Sequence, residues 1–341
     1  MGYHIELTEN PSEYRDEIIR FWKEYLPDTP PSRYEWLTTG SPAGKAKWFL
    51  ALDSQSKSLL GFITVLPRHF IVKGRQVQFG IMGDFVVEKQ YRGFGPGMQL
   101  PRRVLDKAGE LGFSLIYTIP YYKTLRHIER AGFKHRVTLR WFIKPLVFHR
   151  YMRNAVAARM ANISALLFDN ACCSLLVNAI VLRNKCFVDT TEMGAVFDRF
   201  WVRLKNRDQG ILGSRDSRYL TWRYGQNPLM KFRVLTLSRK ASEEIQGYVI
   251  YTINGSKLDI YDIQYTDKKT RKLLILKLIW IARRRNCEAA YLLTSAGNKA
   301  LSGLRVFGLI CREEEHPLCY ASLEPEMNLD NWRFLQGDRN V

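Results

Sequence analysis

The chain has 341 residues, a formal net charge of +19 and 46% apolar residues. This length favours two domains, and the apolar content excludes a disordered, collagen-like or disulfide-scaffold protein. The positive charge predicts an anionic partner, which could be a phosphorylated cofactor, nucleic acid or a membrane surface. The six cysteines have no spacing that suits zinc, so we expect reduced thiols, no metal site and a cytoplasmic location.

The first part of the chain predicts a mixed α/β domain at residues 1–147. Apolar periodicity indicates, in order, a strand at 4–7, a helix at 13–25, strands at 48–52, 59–66 and 77–87, a helix at 98–111, a strand at 114–119, a short helix at 124–130 and a strand pair from 132 to 144. A turn with three glycines at 93–97 separates the last of the long strands from the helix that follows.

The second part predicts a helical linker at 148–190 and a second domain at 191–341. This domain repeats the first faintly, since three residues recur 186 positions further along the chain, and the pairs are Trp36 and Trp222, Pro42 and Pro228, and Gly61 and Gly247. We interpret the repeat as a duplicated domain. The second copy lacks glycines in the turn before its helix at 272–285, so only the first copy is predicted to bind phosphate.

The glycine-rich turn is the motif that carries chemistry. Gly93, Gly95 and Gly97 free the backbone N–H groups to surround an anion, and the helix that follows adds unpaired donors and a partial positive charge. Four cations lie nearby in sequence, at Lys89, Arg92, Arg102 and Arg103. The pattern favours a diphosphate. It is not a Walker A loop, and a dinucleotide fold is disfavoured because no parallel βαβ unit is expected around the turn.

The same residues resemble a known family. Residues 90–95, and equally 92–97, fit the Gln/Arg-x-x-Gly-x-Gly/Ala signature of the GNAT superfamily of N-acetyltransferases, and Ala131-Gly132-Phe133 is similar to its closing Gly-Phe. The chain end around Gly337-Asp338 is similar to tandem GNAT-like proteins associated with exopolysaccharide assembly. The resemblance covers 1–147 well and the second half weakly. It implies two tandem GNAT-like domains, in an α/β fold with a mixed sheet, joined by a helical linker.

The resemblance also implies the donor and its binding residues. Acetyl-CoA or another acyl-CoA would donate its acyl group to a small-molecule, sugar or peptide amine by direct attack. Backbone groups of Phe85, Val86 and Val87 would meet the pantetheine arm. The pyrophosphate would be held by the residues of the turn, which are Arg92, Gly93, Phe94, Gly95, Pro96, Gly97 and Met98.

The catalytic residues are less well defined by sequence. Asp84, on the strand just before the point where two strands are expected to splay apart, is the first candidate for the general base, and Glu88 is the second. The family commonly protonates the leaving thiolate with a tyrosine four residues before the Gly-Phe glycine, where this chain has Ile128. Candidate replacements for this acid are Tyr121, Tyr122 and His127.

Two alternatives follow from the basic segment between Arg130 and Phe168, which has eight Lys or Arg and no acidic residue. It could be an RNA-binding face, as in a Fem-type aminoacyl-tRNA-dependent transferase, but the phosphate loop argues against nucleic acid. It could also contact anionic lipid through residues 150–182, placing the protein at the inner membrane face. Because Ile128 stands where the family commonly has its catalytic tyrosine, the chain could also be a non-catalytic protein that binds acyl-CoA or a membrane. A solvated basic flank is the third reading of the segment.

Overall fold

The computed structural model describes residues 2–147, 154–181, 185–207, 210–239, 244–295, 298, 303–324 and 327–340. Over these residues the chain forms one 13-stranded mixed sheet with helices on both faces. The predicted α/β fold with two related copies is confirmed.

The first half follows the predicted order of elements closely. They are β1 (Tyr3–Thr8), α1 (Arg15–Tyr25), α2 (Ser32–Thr39), β2 (Lys47–Asp53), β3 (Leu59–Val72), β4 (Arg75–Val87), α3 (Pro96–Ala108), β5 (Leu115–Thr118), α4 (Tyr122–Arg130) and β6 (Lys134–Pro145), with short 3-10 turns at Ser12–Tyr14 and Lys89–Tyr91. The predicted strand pair from 132 to 144 is wrong, because this stretch is the single strand β6. Its neighbours come from the other half of the chain, which local periodicity cannot reveal.

The second half begins with a long helix and then repeats the first. Its elements are α5 (Ala155–Val181), β7 (Lys185–Thr190), α6 (Val196–Lys205), β8 (Ile211–Gly213), α7 (Ser217–Leu220) running into a π-turn (Thr221–Gly225), β9 (Arg233–Arg239), β10 (Ile245–Asn254), β11 (Lys257–Tyr265), α8 (Lys268–Arg284), β12 (Ala289–Ser295) and β13 (Ile310–Ser322), with 3-10 turns at Leu304–Phe307 and Gln336–Asp338. Strands β9 and β10 begin at the positions that the repeat predicts from β2 and β3.

The two halves exchange strands. The sheet order is β1-β2-β3-β4-β5-β13-β6-β12-β11-β10-β9-β7, so β13 pairs with β5 of the first half and β6 pairs with β12 of the second. The adjacent strands β13 and β6 form the seam between the halves. The boundaries predicted at 147 and 190 remain a prediction, but the segments on either side of them share one continuous sheet.

The repeat is also visible in the core. Trp36 and Trp222, which occupy equivalent positions in the two copies, stack with ring centroids 4.3 Å apart and an interplanar angle of 3°. The Trp36 indole Nε1–H donates to the carbonyl oxygen of Trp222 at 3.1 Å. Helices α1, α2, α6 and α7 cover this face of the sheet, while α3, α4, α5 and α8 pack on the opposite face.

Several sequence expectations concern membranes, metals and thiols. In the part of the chain that the structure describes, no helix is long and apolar enough to cross a bilayer. The same residues contain no group of three His, Cys, Asp or Glu side chains that could hold a metal ion. The described cysteines are free thiols at Cys186, Cys287, Cys311 and Cys319. The side chains of Cys172 and Cys173 lie outside the described residues, as do residues 148–153 of the basic segment.

Candidate active site

A cleft opens in the first half where two parallel strands part. Strand β4 pairs with β5 over Phe79–Ile81 and then continues to Val87 paired with β3 alone. The expectation that no parallel βαβ unit surrounds the glycine turn is therefore wrong, because β4, α3 and β5 form one. The long antiparallel run before β4 concealed this in the sequence. Since β4 has no partner on this side after Ile81, its backbone groups at 82–87 border an open cleft.

A β-bulge shapes the end of β4. Phe62 is opposite Val86 and Thr64 is opposite Gly83, so two residues of β4 face one residue of β3. Asp84, in the bulge, has a φ of +47°, which is unusual for a residue other than glycine. A bulge redirects side chains and backbone groups locally. It lies immediately before the predicted pantetheine contacts at 85–87.

The glycine turn connects β4 to α3 and forms a cradle of backbone N–H groups, at residues 93–97. Gly95 has a φ of +54° and a ψ of −126°, a conformation that glycine adopts readily. A Cβ on Gly97 would lie 2.5 Å from the carbonyl oxygen of Arg92, so a side chain cannot be added there without moving backbone. The N–H groups of Gly93, Phe94 and Gly95 donate to no described residue. Free N–H groups at the start of a helix, here one of 13 residues, are of the kind that phosphate groups bind in proteins.

Cations surround the cradle. The Arg92 side chain lies over the Tyr25 ring at 4.7 Å, and its Nε–H donates to the carbonyl oxygen of Val87 at 3.0 Å. Within the described part of the chain, the exposed cations Lys89, Arg102 and Arg103 have no ion-pair partner. The charge around the turn is therefore available to an anionic ligand.

Asp84, the first candidate for the general base, is held in an ion pair. Its carboxylate accepts from Arg33 Nη2 at 3.1 Å and from the Thr64 hydroxyl at 3.2 Å. Both charged side chains are buried, with exposed fractions of 7% for Asp84 and 2% for Arg33. The Nη1 group of Arg33 is buried without a described hydrogen-bond partner. Sequence reasoning missed Arg33, because nothing local links α2 to the end of β4.

The chain end crosses the cleft where β4 and β5 part. Asn340 Oδ1 accepts from Arg33 Nη2 at 3.0 Å, and its side chain lies against Gly83, where an added Cβ would overlap it. The Tyr117 hydroxyl of β5 donates to the carbonyl oxygen of Asp338 at 2.6 Å. Tyr117 lies in the core on the face away from α3. Residues 338–340, from the second half, therefore border the cleft on the face of the sheet opposite α3.

A buried ionic network fixes this chain end. Asp338 lies 2.6 Å from Arg68 and 3.1 Å from Arg215, and Arg215 also bonds Asp262 at 2.7 Å. All four side chains are at most 1% exposed. Burial alone would raise the pKa of Asp338, but the Arg215 and Arg68 guanidinium groups outweigh it and the pKa is lowered.. The resemblance at Gly337-Asp338 was the sequence signal closest to this network, but it gave no role for Asp338.

The other predicted catalytic residues are less enclosed. Tyr121 and Tyr122 are 82% and 89% exposed at the start of α4. His127 is half-buried, and its Nδ1 has no described partner. Glu88 accepts from the Gln90 side chain at 3.2 Å.

Ile128 replaces the usual tyrosine with a core residue. Its side chain is 2% exposed and belongs to the core that α3 and α4 share, together with Leu100 and Phe133. This position therefore offers no proton donor to the cleft. An acid, where one is used, has to come from another side chain at the rim.

The second half has the same cleft but no cradle. Strands β11 and β12 pair in parallel over Lys257–Ile260 and then part, as β4 and β5 do. The turn into α8 has Asp267 as its N-cap, whose carboxylate accepts from the Thr270 N–H at 2.8 Å. The Asp267 carboxylate thus already accepts a hydrogen bond from the start of α8, and its negative charge would repel a phosphate. The two turns thus differ in geometry, and diphosphate binding by the first copy alone stays a prediction.

Comparison with known proteins agrees with this geometry. Residues 11–133 match the acetyltransferase (GNAT) family model. A GCN5-related N-acetyltransferase from Anabaena variabilis superposes with a TM-score of 0.65 at 13% identity, over 94% of this chain and 73% of that one. A tandem GNAT protein from the clavulanic acid biosynthesis pathway gives 0.55 at 12%, over 95% and 100%. N-myristoyltransferase of Saccharomyces cerevisiae, solved with myristoyl-CoA and inhibitors, gives 0.58 at 12%, over 99% and 86%.

Sequence searching of curated proteins finds no match to the chain. The structural neighbours are too distant in sequence to show more than the fold, whereas the family match covers the β4–α3 turn itself. The resemblance to the GNAT superfamily is thus confirmed: residues 11–133 are a GNAT domain, and the described chain as a whole has the fold of tandem GNAT proteins.

Proposed function

We propose that the protein is an acyl-CoA-dependent N-acyltransferase that moves an acetyl or longer acyl group from CoA to an amine. The observation that carries this proposal is the cradle of free N–H groups at 93–95, which opens beside the unpaired edge of β4 within the GNAT domain. The name of one structural neighbour supports an acyl-CoA donor, since that N-myristoyltransferase was solved with bound myristoyl-CoA.

The donor would lie along the cleft. Amides from Arg92 to Met98 would bind the pyrophosphate, helped by the free cations around the turn. The pantetheine arm would hydrogen-bond to the open backbone edge at Phe85–Val87, as an added strand does. The thioester would then lie where β4 and β5 part, beside Asp84 and the chain end at 338–340.

The chemistry is a direct transfer. The amine nitrogen attacks the thioester carbonyl carbon, the carbon–sulfur bond breaks, and the CoA sulfur leaves with the bonding electrons. Asp84 is the proposed acceptor of the amine proton, held in position by Arg33, with Glu88 as the second candidate. The proposed donor to the leaving sulfur is one of the three candidates on and beside α4, which are Tyr121, Tyr122 and His127.

The acceptor would be a small-molecule, sugar or peptide amine that approaches from the face bordered by Asn340. Nucleic acid is not part of the proposal, because an aminoacyl-tRNA donor has no diphosphate for the cradle to bind. A cytoplasmic location remains our proposal from the cysteine pattern.

The test is the release of free CoA from acetyl-CoA in the presence of a panel of amines. We expect thiol release that depends on one class of amine. Asp84→Asn should lower turnover about 100-fold or more while acetyl-CoA affinity is retained. Asp16→Asn, at a carboxylate that is 96% exposed, is the matched control and should leave both unchanged.

Two results would replace the proposal. Tight acetyl-CoA binding without thiol release for any amine would make the protein a non-catalytic acyl-CoA binder. Salt-sensitive tRNA binding with no affinity for CoA would favour a Fem-type transferase instead.

A further inference from the structure

The first half of α5 exposes a row of large apolar side chains. Val156, Met160, Ile163 and Leu167 are 73%, 60%, 48% and 64% exposed. Their spacing of four, three and four residues places them on one face of the helix. Leu166, which is 46% exposed, widens the row. No described residue covers it, and a contiguous exposed apolar surface of this kind marks an interaction site.

The opposite face of α5 is firmly attached to the protein. Ala158 is buried, and Asp169 is 5% exposed. The Asp169 carboxylate bonds Lys144 of β6 at 2.8 Å and Arg283 of α8 at 2.6 Å. The apolar row therefore lies on a helix that is held in place through its other face. The residues of the row take no part in the ion pairs that attach α5 to the protein.

The charge around the row has one sign. Asp169 is the one acidic residue in the sequence from 130 to 188, and its charge is neutralised by the two ion pairs. Arg159 lies exposed on α5 between the apolar residues. Arg284 and Arg285 are exposed at the end of α8, the helix whose Arg283 contacts the anchored face of α5. The exposed charges that the structure describes along α5 and the end of α8 are thus cationic.

We propose that this face of α5 binds the surface of a bilayer that contains anionic phospholipids. The apolar row would enter the boundary between headgroups and acyl chains, and Arg159 beside it would contact a phosphate. An apolar row combined with cations fits a lipid surface better than nucleic acid, whose contacts with proteins are mainly charged and polar. The helix would lie in the interface, parallel to the membrane plane. This inference does not depend on the acyl-transfer proposal.

The test uses the full chain and two kinds of vesicle, phosphatidylcholine alone and phosphatidylcholine mixed with phosphatidylglycerol. In a co-flotation assay we expect binding to the mixed vesicles only, weakened by added salt. The double variant Ile163→Asp/Leu167→Asp should lower binding by at least about tenfold. The matched control Val202→Asp/Val306→Asp adds the same charge at apolar residues that are 49% and 70% exposed outside α5, and should bind as wild type does.

Folding of each variant is checked by its circular dichroism spectrum and its thermal transition, so a loss of structure is distinguished from a loss of lipid binding. The proposal is overturned if the wild-type protein binds neither vesicle, or if the α5 double variant binds as well as its control. It is also overturned if the wild-type protein is a dimer that the α5 variant converts to monomers without any vesicle binding. RNA binding that needs Arg159 but not the apolar row would assign the face to nucleic acid.

Discussion

Replacing Gly97 by alanine should cripple the phosphate cradle, whereas the same change at Gly93 should not. The added Cβ at Gly97 would lie 2.5 Å from the Arg92 carbonyl oxygen and 2.7 Å from that of Tyr91. Both are backbone atoms, so the turn itself has to move. At Gly93 an added Cβ meets nothing within 4 Å, and its backbone φ is not positive.

The size of the effect follows from the clash. Overpacking of this kind costs about 1–3 kcal/mol. If the turn avoids the cost by opening, it separates the N–H groups that bind the pyrophosphate. Since about 1.4 kcal/mol corresponds to a tenfold change in affinity, Gly97→Ala should weaken acetyl-CoA binding about tenfold to a hundredfold. Gly93→Ala should change it by less than about twofold to threefold.

Calorimetric titration of both variants with acetyl-CoA measures the difference, and thermal denaturation shows that each is folded. Equal affinities for Gly97→Ala and the wild-type protein would refute the reasoning. So would an equal loss in both variants, because the cradle geometry distinguishes the two positions.

Three further predictions concern the scaffold. Asp338→Asn should destabilise the protein by about 3–5 kcal/mol in chemical denaturation, because it breaks a buried ionic network. Because the pKa of Asp338 is lowered in the folded protein, its stabilisation is present above a pH of about 4 and is lost as the pH falls further. The variant should therefore lose less stability in acid than the wild-type protein does. Equal losses of unfolding free energy in acid for the two proteins would argue against this role. Trp36→Ala should lower the free energy of unfolding by about 3–5 kcal/mol, because it removes the stack with Trp222. The variant should still unfold in one transition, because the exchanged strands join the halves in one sheet. Two separate transitions would contradict that coupling. Burial raises the pKa of Cys319 to about 12, so a thiolate-directed reagent should label it only after unfolding, well after half-buried Cys311; early labelling of Cys319 would show that its strand opens.

Local patterns in the sequence predicted the elements and the phosphate turn well. Alternating apolar residues and turn glycines are properties of neighbouring positions, so most of β1 to α4 and the cradle at 93–97 could be predicted. The repeat of 186 positions also held, because Trp36 and Trp222 occupy equivalent and structurally paired places.

Pairing between distant segments could not be predicted in this way. Nothing local in β6 indicates that its neighbours are β13 and β12, more than 140 positions away. For the same reason the Arg33 ion pair with Asp84, 51 positions apart, and the crossing of the cleft by Asn340 appeared only in the structure. These contacts determine which groups lie beside the proposed thioester position, so the general base remains the least predictable part of the site.

The central claim is that acyl-CoA binds at the turn between β4 and α3. Titration of the wild-type protein and Gly95→Glu with acetyl-CoA tests it most directly, because Gly95 has a φ of +54° and its N–H is free. Glutamate at this position would strain the backbone and place a negative charge in the cradle. We predict binding at one site in the wild-type protein and none in the variant. No binding to either protein, or equal binding to both, would contradict the account.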